Sequence, residues 1–426
     1  MFNKSIDINN TFFPGHEIDD PKWFAGRKSD IERTLVALSR KGNSVIVFGE
    51  RGIGKSSFVA MIKMIAEGNT YLIYKHGLHK KYNRDFFNYQ IASITCDSGT
   101  QNVEQILQRL LTSPEGFKKI IKTRLFSTEH QASDSIGLNF LKLLNVSSTS
   151  TDKRIEKAIE EKSVIETFTN VVLTIQNEIL EKKEELLIVI DEFDLVENKS
   201  KLASLMKALS KGKVKFLISG IASDYSELIE GHKSINRLLY QGRIKITPMT
   251  ENEVNNIFDL AEMNNHNLIS FNKKVRKTVF EMSSGFPYFV QLCGQLALDE
   301  FAEVKGYKSN GTINTQHLLK GLEKLVKYEP ELDTLYYSII GEDKDRETVL
   351  KALSNMTPQK IKRSEVHKHC ENIGVRNPKN IIKYLLSYRQ KDSENNERIL
   401  NGIGNDYLEF NDAVFKIFVR MKSEIC

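Results

Sequence analysis

A glycine-rich segment of the chain has the residue types and the spacing of a phosphate-binding loop. Its glycines let the backbone bend so that successive amide groups point at phosphate oxygens, and a following helix adds its positive N-terminal end. Lys55 is expected to contact the β- and γ-phosphates and the Ser56 hydroxyl to ligate Mg²⁺, so the pattern predicts binding of ATP with Mg²⁺. The expected nucleotide contacts are Gly49, Glu50, Arg51, Gly52, Ile53, Gly54, Lys55, Ser56 and Ser57.

Two acidic residues follow an apolar run further along the chain. Asp191 and Glu192 come directly after Leu186–Ile190. Asp191 is expected to hold Mg²⁺ through water, and Glu192 to polarise the attacking water as a general base. A phosphate loop alone indicates only binding, whereas the added carboxylate pair predicts ATP hydrolysis.

These residues need a parallel sheet to position them. Val45–Phe48, Leu186–Ile190 and Val214–Ile218 are short apolar runs bounded by polar residues or glycine, and Gln90–Thr95 is a weaker candidate. Such runs are typical of buried parallel strands with helices on both faces, and a helix is expected from Ser29 onward. The expected fold class is therefore α/β, with the parallel sheet of a P-loop NTPase.

From Thr250 the apolar residues repeat at helical spacing. Thr250 and Glu253 are spaced as a capping box at the start of the first helix. Further helices are expected over Asn272–Ser283, Pro287–Val304 and Thr315–Val326. This pattern predicts a small, all-helical lid domain.

The last part of the chain predicts a winged helix. Helices over Arg346–Asn355, Ser364–Asn372 and Pro378–Tyr388 precede short strands around Arg398–Asn401 and Tyr407–Phe410. One side of the third helix is apolar and the other is basic, as expected of a surface that contacts phosphates of double-stranded DNA. The alternative is a solvated face on a protein-binding domain. The candidate DNA-binding residues are Arg376, Lys379, Asn380 and Lys383.

Length and composition set limits on the class of protein. A chain of 426 residues is too long for one core, and 40% hydrophobic with 27% charged residues is ordinary for a soluble protein. Without a long apolar run or a signal-peptide pattern, a cytoplasmic protein with no membrane partner is expected. The net charge of +6 is compatible with a polyanionic partner but does not require one.

The order of these motifs resembles that of AAA+ ATPases. More narrowly, it is similar to the STAND and initiator-type branch, which includes the archaeal and eukaryotic origin-recognition ATPases. The motifs are Phe24–Arg27, the phosphate loop, Leu186–Asp194 and Ser284–Pro287. The resemblance extends to about Arg420, because that branch also continues into a helical lid and a C-terminal winged helix.

The resemblance implies a division into four regions. Residues 1–41 would form an N-terminal arm and adenine-proximal segment, and residues 42–249 the AAA+ α/β domain, with a helical insertion at about 98–162. Residues 250–330 would form the lid and residues 331–426 the winged-helix domain.

The resemblance also implies roles for individual residues. The segment from Phe24 to Arg27 would lie along the adenine, and Ser219 would sense the γ-phosphate. Pro287 belongs to a Gly-x-Pro signature at the start of a lid helix, although proline is also favoured in any first helical turn.

An arginine finger is implied as well. Arg237 resembles an arginine that would stabilise transition-state charge on ATP held by a neighbouring subunit, and Arg243 is the competing candidate. A solvated surface arginine is the alternative for both. The chain lacks a clear arginine at the usual second sensor position, which favours slow turnover.

Three functions are compatible with these features, and the weakest is a chain that binds ATP structurally without hydrolysing it. The first is an AAA+ ATPase whose nucleotide state controls its assembly into a homo-oligomer and whose winged helix binds DNA. The second is a STAND-like signalling switch, for example in antiviral defence, which acts on a separate effector protein and uses the winged helix as a clamp.

Overall fold

The structure is a computed structural model whose contacts divide the chain into two compact units. One unit combines Glu17–Glu50 with Gly54–Thr247 and is called the sheet unit here. The other combines Met1–His16, Arg51–Ile53 and Pro248–Cys426 and is called the helical unit. The division into four regions stays a prediction. The described residues are 5–82, 87–121, 163–210, 212–229, 235–305, 310–328, 330–356, 361–389, 398–403 and 406–425.

A five-stranded parallel sheet forms the core of the sheet unit. Its strand order is β2-β3-β4-β1-β5, so that β4 lies between β1 and β3. The central strands are apolar runs rich in β-branched residues, which favour extended backbone and are buried on both faces. The predicted α/β fold is therefore confirmed. The strands are β1 Val45–Gly49, β2 Tyr89–Thr95, β3 Glu185–Asp191, β4 Val214–Ile221 and β5 Arg243–Lys245.

Helices connect these strands, and the sequence encodes where two of them begin. The side chain of Asn102 accepts a hydrogen bond from the Gln105 amide, and that of Ser163 from the Glu166 amide. The first of these helices lies in the described part of the predicted insertion, whose residues 122–162 lie outside the described ranges. The helices are α1 Lys28–Leu38, α2 Lys55–Ala66, α3 Tyr71–Lys75, α4 Val103–Thr112, α5 Val164–Thr174, α6 Leu202–Leu209 and α7 Ile235–Leu238.

In the helical unit, the predicted capping box is confirmed. The Glu253 amide donates to the Thr250 hydroxyl (3.4 Å), and the Thr250 amide donates to the Glu253 carboxylate (3.0 Å). The prediction of an all-helical lid is wrong, because β6 Ile269–Phe271 and β7 Gly311–Ile313 pair in parallel. Strands of three residues are too short to show a period of two in the sequence. The helices here are α8 Glu251–Asn264, α9 Lys273–Ser283, α10 Pro287–Lys305 and α11 Thr315–Tyr328.

The C-terminal part contains the helices and the hairpin that the winged-helix prediction requires. Its antiparallel sheet has the order β8-β10-β9. The assignment of a winged helix remains a prediction. None of the helices in the described part of the chain is long and apolar enough to cross a membrane. The elements are α12 Pro330–Ile340, α13 Lys344–Asn355, β8 Ile361–Lys362, α14 Arg363–Asn372, α15 Pro378–Ser387, β9 Leu400–Ile403, β10 Tyr407–Phe410 and α16 Ala413–Ile425.

One buried arginine joins three helices of this unit. Arg420 of α16 donates to the carbonyls of Glu281 (2.8 Å) and Met282 (3.3 Å) at the end of α9, and to the Ser284 hydroxyl. It also donates to the Ser354 carbonyl at the end of α13 (3.0 Å). The last carbonyls of a helix have no partner within that helix, so one guanidinium satisfies two helix ends.

Candidate nucleotide-binding site

The phosphate loop connects the end of β1 to the start of α2. Gly52 (φ 72°) and Gly54 (φ 89°) have left-handed backbone, which a side chain would strain. Gly54 is the residue from which α2 begins. The loop therefore delivers the free amides of the first turn of α2, which include that of Ser56, to a position where an anion can bind. Arg51, just before Gly52, is exposed, and Ile53, between the two glycines, is buried.

Lys55 is half-buried beside several acidic groups. Its Nζ donates a hydrogen bond to the Glu50 carbonyl oxygen at 2.8 Å. Burial lowers the pKa of Lys55, and the negative charges of Asp194, Asp191, Glu192 and Glu50, in that order, act in the opposite direction. The ammonium group thus lies among carboxylates in a partly desolvated position, where a phosphate would be a strong additional partner.

Asp191 is held by two donors at the end of β3. The hydroxyl of Ser219, fully buried on β4, donates to Asp191 Oδ1, and the Glu192 amide donates to the same oxygen at 2.9 Å. This contact exists because β4 lies between the strand of the phosphate loop and the strand of the acids, with Ser219 opposite Val47. The expected γ-phosphate sensor therefore contacts the expected metal ligand.

Glu192 projects from a constrained backbone. Its φ of 53° is in the left-handed region, which is uncommon for a residue with a side chain and often marks a functional site. The side chain is exposed, in contrast to that of Asp191, which is only 9% exposed. The two adjacent acids are thus directed to different surroundings, as a metal ligand and a general base require.

Asp194 is a member of this group that sequence reasoning did not select. Its Oδ1 accepts the Ile221 amide at 2.7 Å, which ties the turn after β3 to the end of β4. A Cβ atom at Gly220 would lie 2.8 Å from that oxygen, so the approach requires glycine. Its charge is the first of those acting on Lys55. The sequence feature that could have indicated Asp194 is its position as a further acidic residue three residues after Asp191.

The predicted adenine segment packs within the sheet unit. Phe24 and Arg27 are both 4% exposed, and the Arg27 guanidinium donates to the Thr247 carbonyl. Ser57, in the first turn of α2, accepts the Ile18 amide at 2.9 Å. Contact of this segment with adenine stays a prediction.

The lid signature lies at the start of α10. Gly285 has φ 78°, and a Cβ atom there would lie 2.2 Å from the Met249 carbonyl oxygen. The turn therefore requires glycine, and Pro287 is the first helical residue after it. The next amide, of Tyr288, donates to the Gly52 carbonyl oxygen at 3.4 Å, within the helical unit as the contacts define it.

The two arginine-finger candidates lie at the opposite edge of the sheet. In the parallel register Arg243 at the start of β5 is opposite Ile46, whereas the phosphate loop follows Gly49 at the other end of β1, about 10 Å further along the strand. Arg243 is engaged within the chain, with its guanidinium 4.0 Å from the Tyr225 ring centre and 3.0 Å from Asn236 Oδ1. Arg237 is exposed. The assignment of an arginine finger stays a prediction.

The residues at the carboxyl edge fit an Mg²⁺–nucleotide. A serine hydroxyl and a carboxylate are hard oxygen ligands of the kind that Mg²⁺ takes, here Ser56 and Asp191. An ammonium group and the amides at the start of a helix suit a polyphosphate. The predicted residues Lys55, Asp191, Glu192 and Ser219 are thus brought together, while Arg237 is not.

The loop, the sheet order and the carboxylates define a P-loop NTPase. The chain belongs to the family described as Novel STAND NTPase 1 (nSTAND1), whose family model matches residues 15–267. This membership supports nucleotide binding and hydrolysis in general. A comparison with curated proteins found no match.

Solved structures with a similar architecture are distant in sequence. A Walker-type ATPase of Pyrococcus abyssi is 12% identical, with a TM-score of 0.46 over 95% of this chain and 99% of that one. Cdc6p from Pyrobaculum aerophilum is 14% identical, with a TM-score of 0.45 over 99% and 100% of the two chains. The Thermotoga maritima RuvB Holliday junction branch migration motor is 13% identical, with a TM-score of 0.40 over 92% and 95%.

Replacing Ser219 tests its contact with Asp191. Ser219→Ala removes one of the two donors on the carboxylate, so we expect the Mg²⁺ concentration for half-maximal ATP binding to rise about tenfold. Titration of a fluorescent ATP analogue at several Mg²⁺ concentrations measures this. Ser93→Ala, on β2 of the same sheet, is the control and should leave the Mg²⁺ dependence unchanged. Equal curves for the two variants would contradict the assignment.

Proposed function

We propose that the protein is a switch that binds ATP with Mg²⁺, hydrolyses it slowly and changes its assembly with nucleotide state. The observation that supports this most directly is the group at the carboxyl edge, in which Lys55 lies among the charges of Asp191, Glu192 and Asp194. A cation for phosphate, a held metal ligand and an exposed base are the parts that ATP hydrolysis needs.

Each residue has a distinct task in this proposal. Lys55 binds the terminal phosphates, and Ser56 and Asp191 hold the Mg²⁺ ion, which when bound neutralises phosphate charge. Glu192 accepts a proton from the attacking water. Ser219 fixes the orientation of Asp191 through its hydroxyl.

Slow turnover is supported by the contacts of Arg276, which is the only arginine in the sequence between residues 250 and 330. Arg276 donates to Asp259 (2.6 Å) and pairs with Glu262 (2.7 Å). An arginine held by two carboxylates of the same unit has little reason to leave them for a phosphate.

Replacing the proposed base tests hydrolysis. Glu192→Gln should keep ATP binding and lose turnover by about 100-fold or more, because the amide cannot accept the proton. Phosphate release measures turnover, and ATP retained after gel filtration measures binding. Glu197→Gln, an exposed acid in the same connection, should behave as wild type, and Lys55→Ala should lose ATP binding. Wild-type turnover in Glu192→Gln would remove Glu192 from the mechanism.

Assembly is proposed because Arg237 lies at the edge of the sheet away from the phosphate loop of its own chain. An arginine finger in this position can act only on ATP bound to another subunit. The oligomer therefore supplies what the single chain lacks.

Mixing two inactive variants tests action between subunits. Arg237→Ala should lower turnover about 10³-fold, as loss of an arginine finger does. An equimolar mixture with Glu192→Gln should regain activity, because the latter donates Arg237 to sites that retain Glu192. Lack of recovery, in a mixture whose mass in solution shows joint oligomers, would contradict the proposal.

Double-stranded DNA is a second proposed partner, supported by the exposed face of α15. Ile381, Ile382 and Leu385 are buried against the C-terminal core, which leaves the opposite face of the helix in solvent. Lys379, Asn380 and Lys383 of that face are exposed, and so is Arg376, two residues before the helix begins. A separate effector protein, for which this domain would be a clamp, is the alternative partner.

A charge reversal on α15 distinguishes these partners. Lys379→Glu/Lys383→Glu should weaken duplex binding at least tenfold and reduce its salt dependence, because two phosphate contacts are lost. Fluorescence anisotropy with a labelled duplex measures both. Lys368→Glu, exposed on α14, is the control. Equal affinities for all three proteins would favour the protein clamp.

A further inference from the structure

A basic pocket lies at the amino edge of the parallel sheet. Its volume is about 440 Å³, which is within the range of small-ligand sites. Two connections form it: the one between α1 and β1, with Arg40 and Lys41, and the one between α7 and β5, with Tyr240. The whole pocket belongs to the sheet unit.

The pocket has an excess of positive charge. Arg40, Lys41, Arg237 and Arg243 line it, and none of the described residues lining it is acidic. Arg40, Lys41 and Arg237 form no ion pair among the described residues, whereas the charge of Arg243 also acts on Asp224. A ligand that carries several negative charges would relieve the repulsion among these cations. Arg243 also has a buried Nε donor without a partner in the described part of the chain. A protein chain gains little from such an arrangement unless an anion occupies it.

An exposed aromatic ring adds a second type of contact. The side chain of Tyr240 is 76% exposed, which is the highest value among the large hydrophobic residues described. An aromatic ring beside arginines provides a surface on which a nucleobase stacks while the cations contact its phosphates. Free base faces are available in single strands and not in duplexes.

We propose that the basic pocket binds single-stranded nucleic acid. Arg40, Lys41 and Arg237 contact the phosphates, and a base stacks on Tyr240. Arg243, whose guanidinium is held within the chain, adds positive charge to the pocket. A strand suits the pocket better than a single nucleotide, because four cations exceed the charge of one phosphate and Arg40, Lys41 and Arg237 are open to solvent. The site is separate from the phosphate loop, which lies at the other edge of the sheet.

Binding of an oligonucleotide in the absence of ATP tests this proposal. The probe is a labelled oligothymidylate of about 16 nucleotides, followed by fluorescence anisotropy. The host protein is Lys379→Glu/Lys383→Glu, so that the proposed duplex-binding face does not contribute. Since no ATP is present, failure of the proposed ATPase mechanism would leave this measurement unaffected.

Two pocket variants and one control give distinct outcomes. Arg40→Glu/Lys41→Glu should weaken binding at least tenfold and flatten its salt dependence, because two of the three phosphate contacts are lost. Tyr240→Ala should weaken binding about fivefold or more, as expected for one lost base stack. Lys182→Glu/Lys183→Glu makes the same charge change at exposed positions of the same unit and should stay within about twofold of the host.

Several results would overturn the proposal. Loss of affinity equal to that of the control would show that net charge alone is responsible. Unchanged binding in Tyr240→Ala, together with equal affinity for a duplex of the same length, would exclude base stacking. Displacement of the labelled oligothymidylate by micromolar thymidine monophosphate would show that the pocket binds a single nucleotide instead.

Discussion

The site depends on one electrostatic arrangement, an ammonium group held in partly desolvated surroundings by acidic neighbours. Burial alone lowers the pKa of Lys55, and the carboxylates of Asp194, Asp191 and Glu192 counteract this effect. They can do so because parallel strands bring the phosphate loop and the acids to the same edge of the sheet. Gly220 then allows Asp194 to approach the end of β4. The balance of charges around Lys55 therefore depends on the order of the strands in the fold.

The sheet was predictable because its strands are buried on both faces. Short continuous apolar runs between polar residues, such as Leu186–Ile190, are typical of strands buried on both faces. The observed strand β3 is one residue longer at each end than the predicted one. The capping box at Thr250 was predictable for a similar reason, since it is a contact between residues three apart. The short strands β6 and β7 were missed, because pairing partners far apart in the sequence define them rather than a local pattern.

The finer parts of the site depend on contacts that no local pattern encodes. The bond from Ser219 to Asp191 joins residues on different strands, and it exists only because β4 lies between β1 and β3. Likewise, the choice between Arg237 and Arg243 depended on whether each guanidinium has partners within the chain. The stacking of Arg243 on Tyr225 is visible only in the structure. The sequence supplied the two candidates, and the tertiary contacts show that the guanidinium of Arg243 is engaged within the chain.

The two edges of the sheet carry opposite charges, and within one chain these charges lie too far apart to act on the same nucleotide. The carboxyl edge holds the acids and the phosphate loop, whereas the amino edge, at the other end of β1, holds the four cations of the basic pocket. A neighbouring subunit's nucleotide and a nucleic acid strand would both be attracted to the same Arg237. Both would bring phosphates to the basic pocket, whose positive charge can be neutralised by only one of them at a time. At any one pocket the two proposed occupants would therefore exclude each other, and strand binding would oppose the assembly that we propose for ATP hydrolysis.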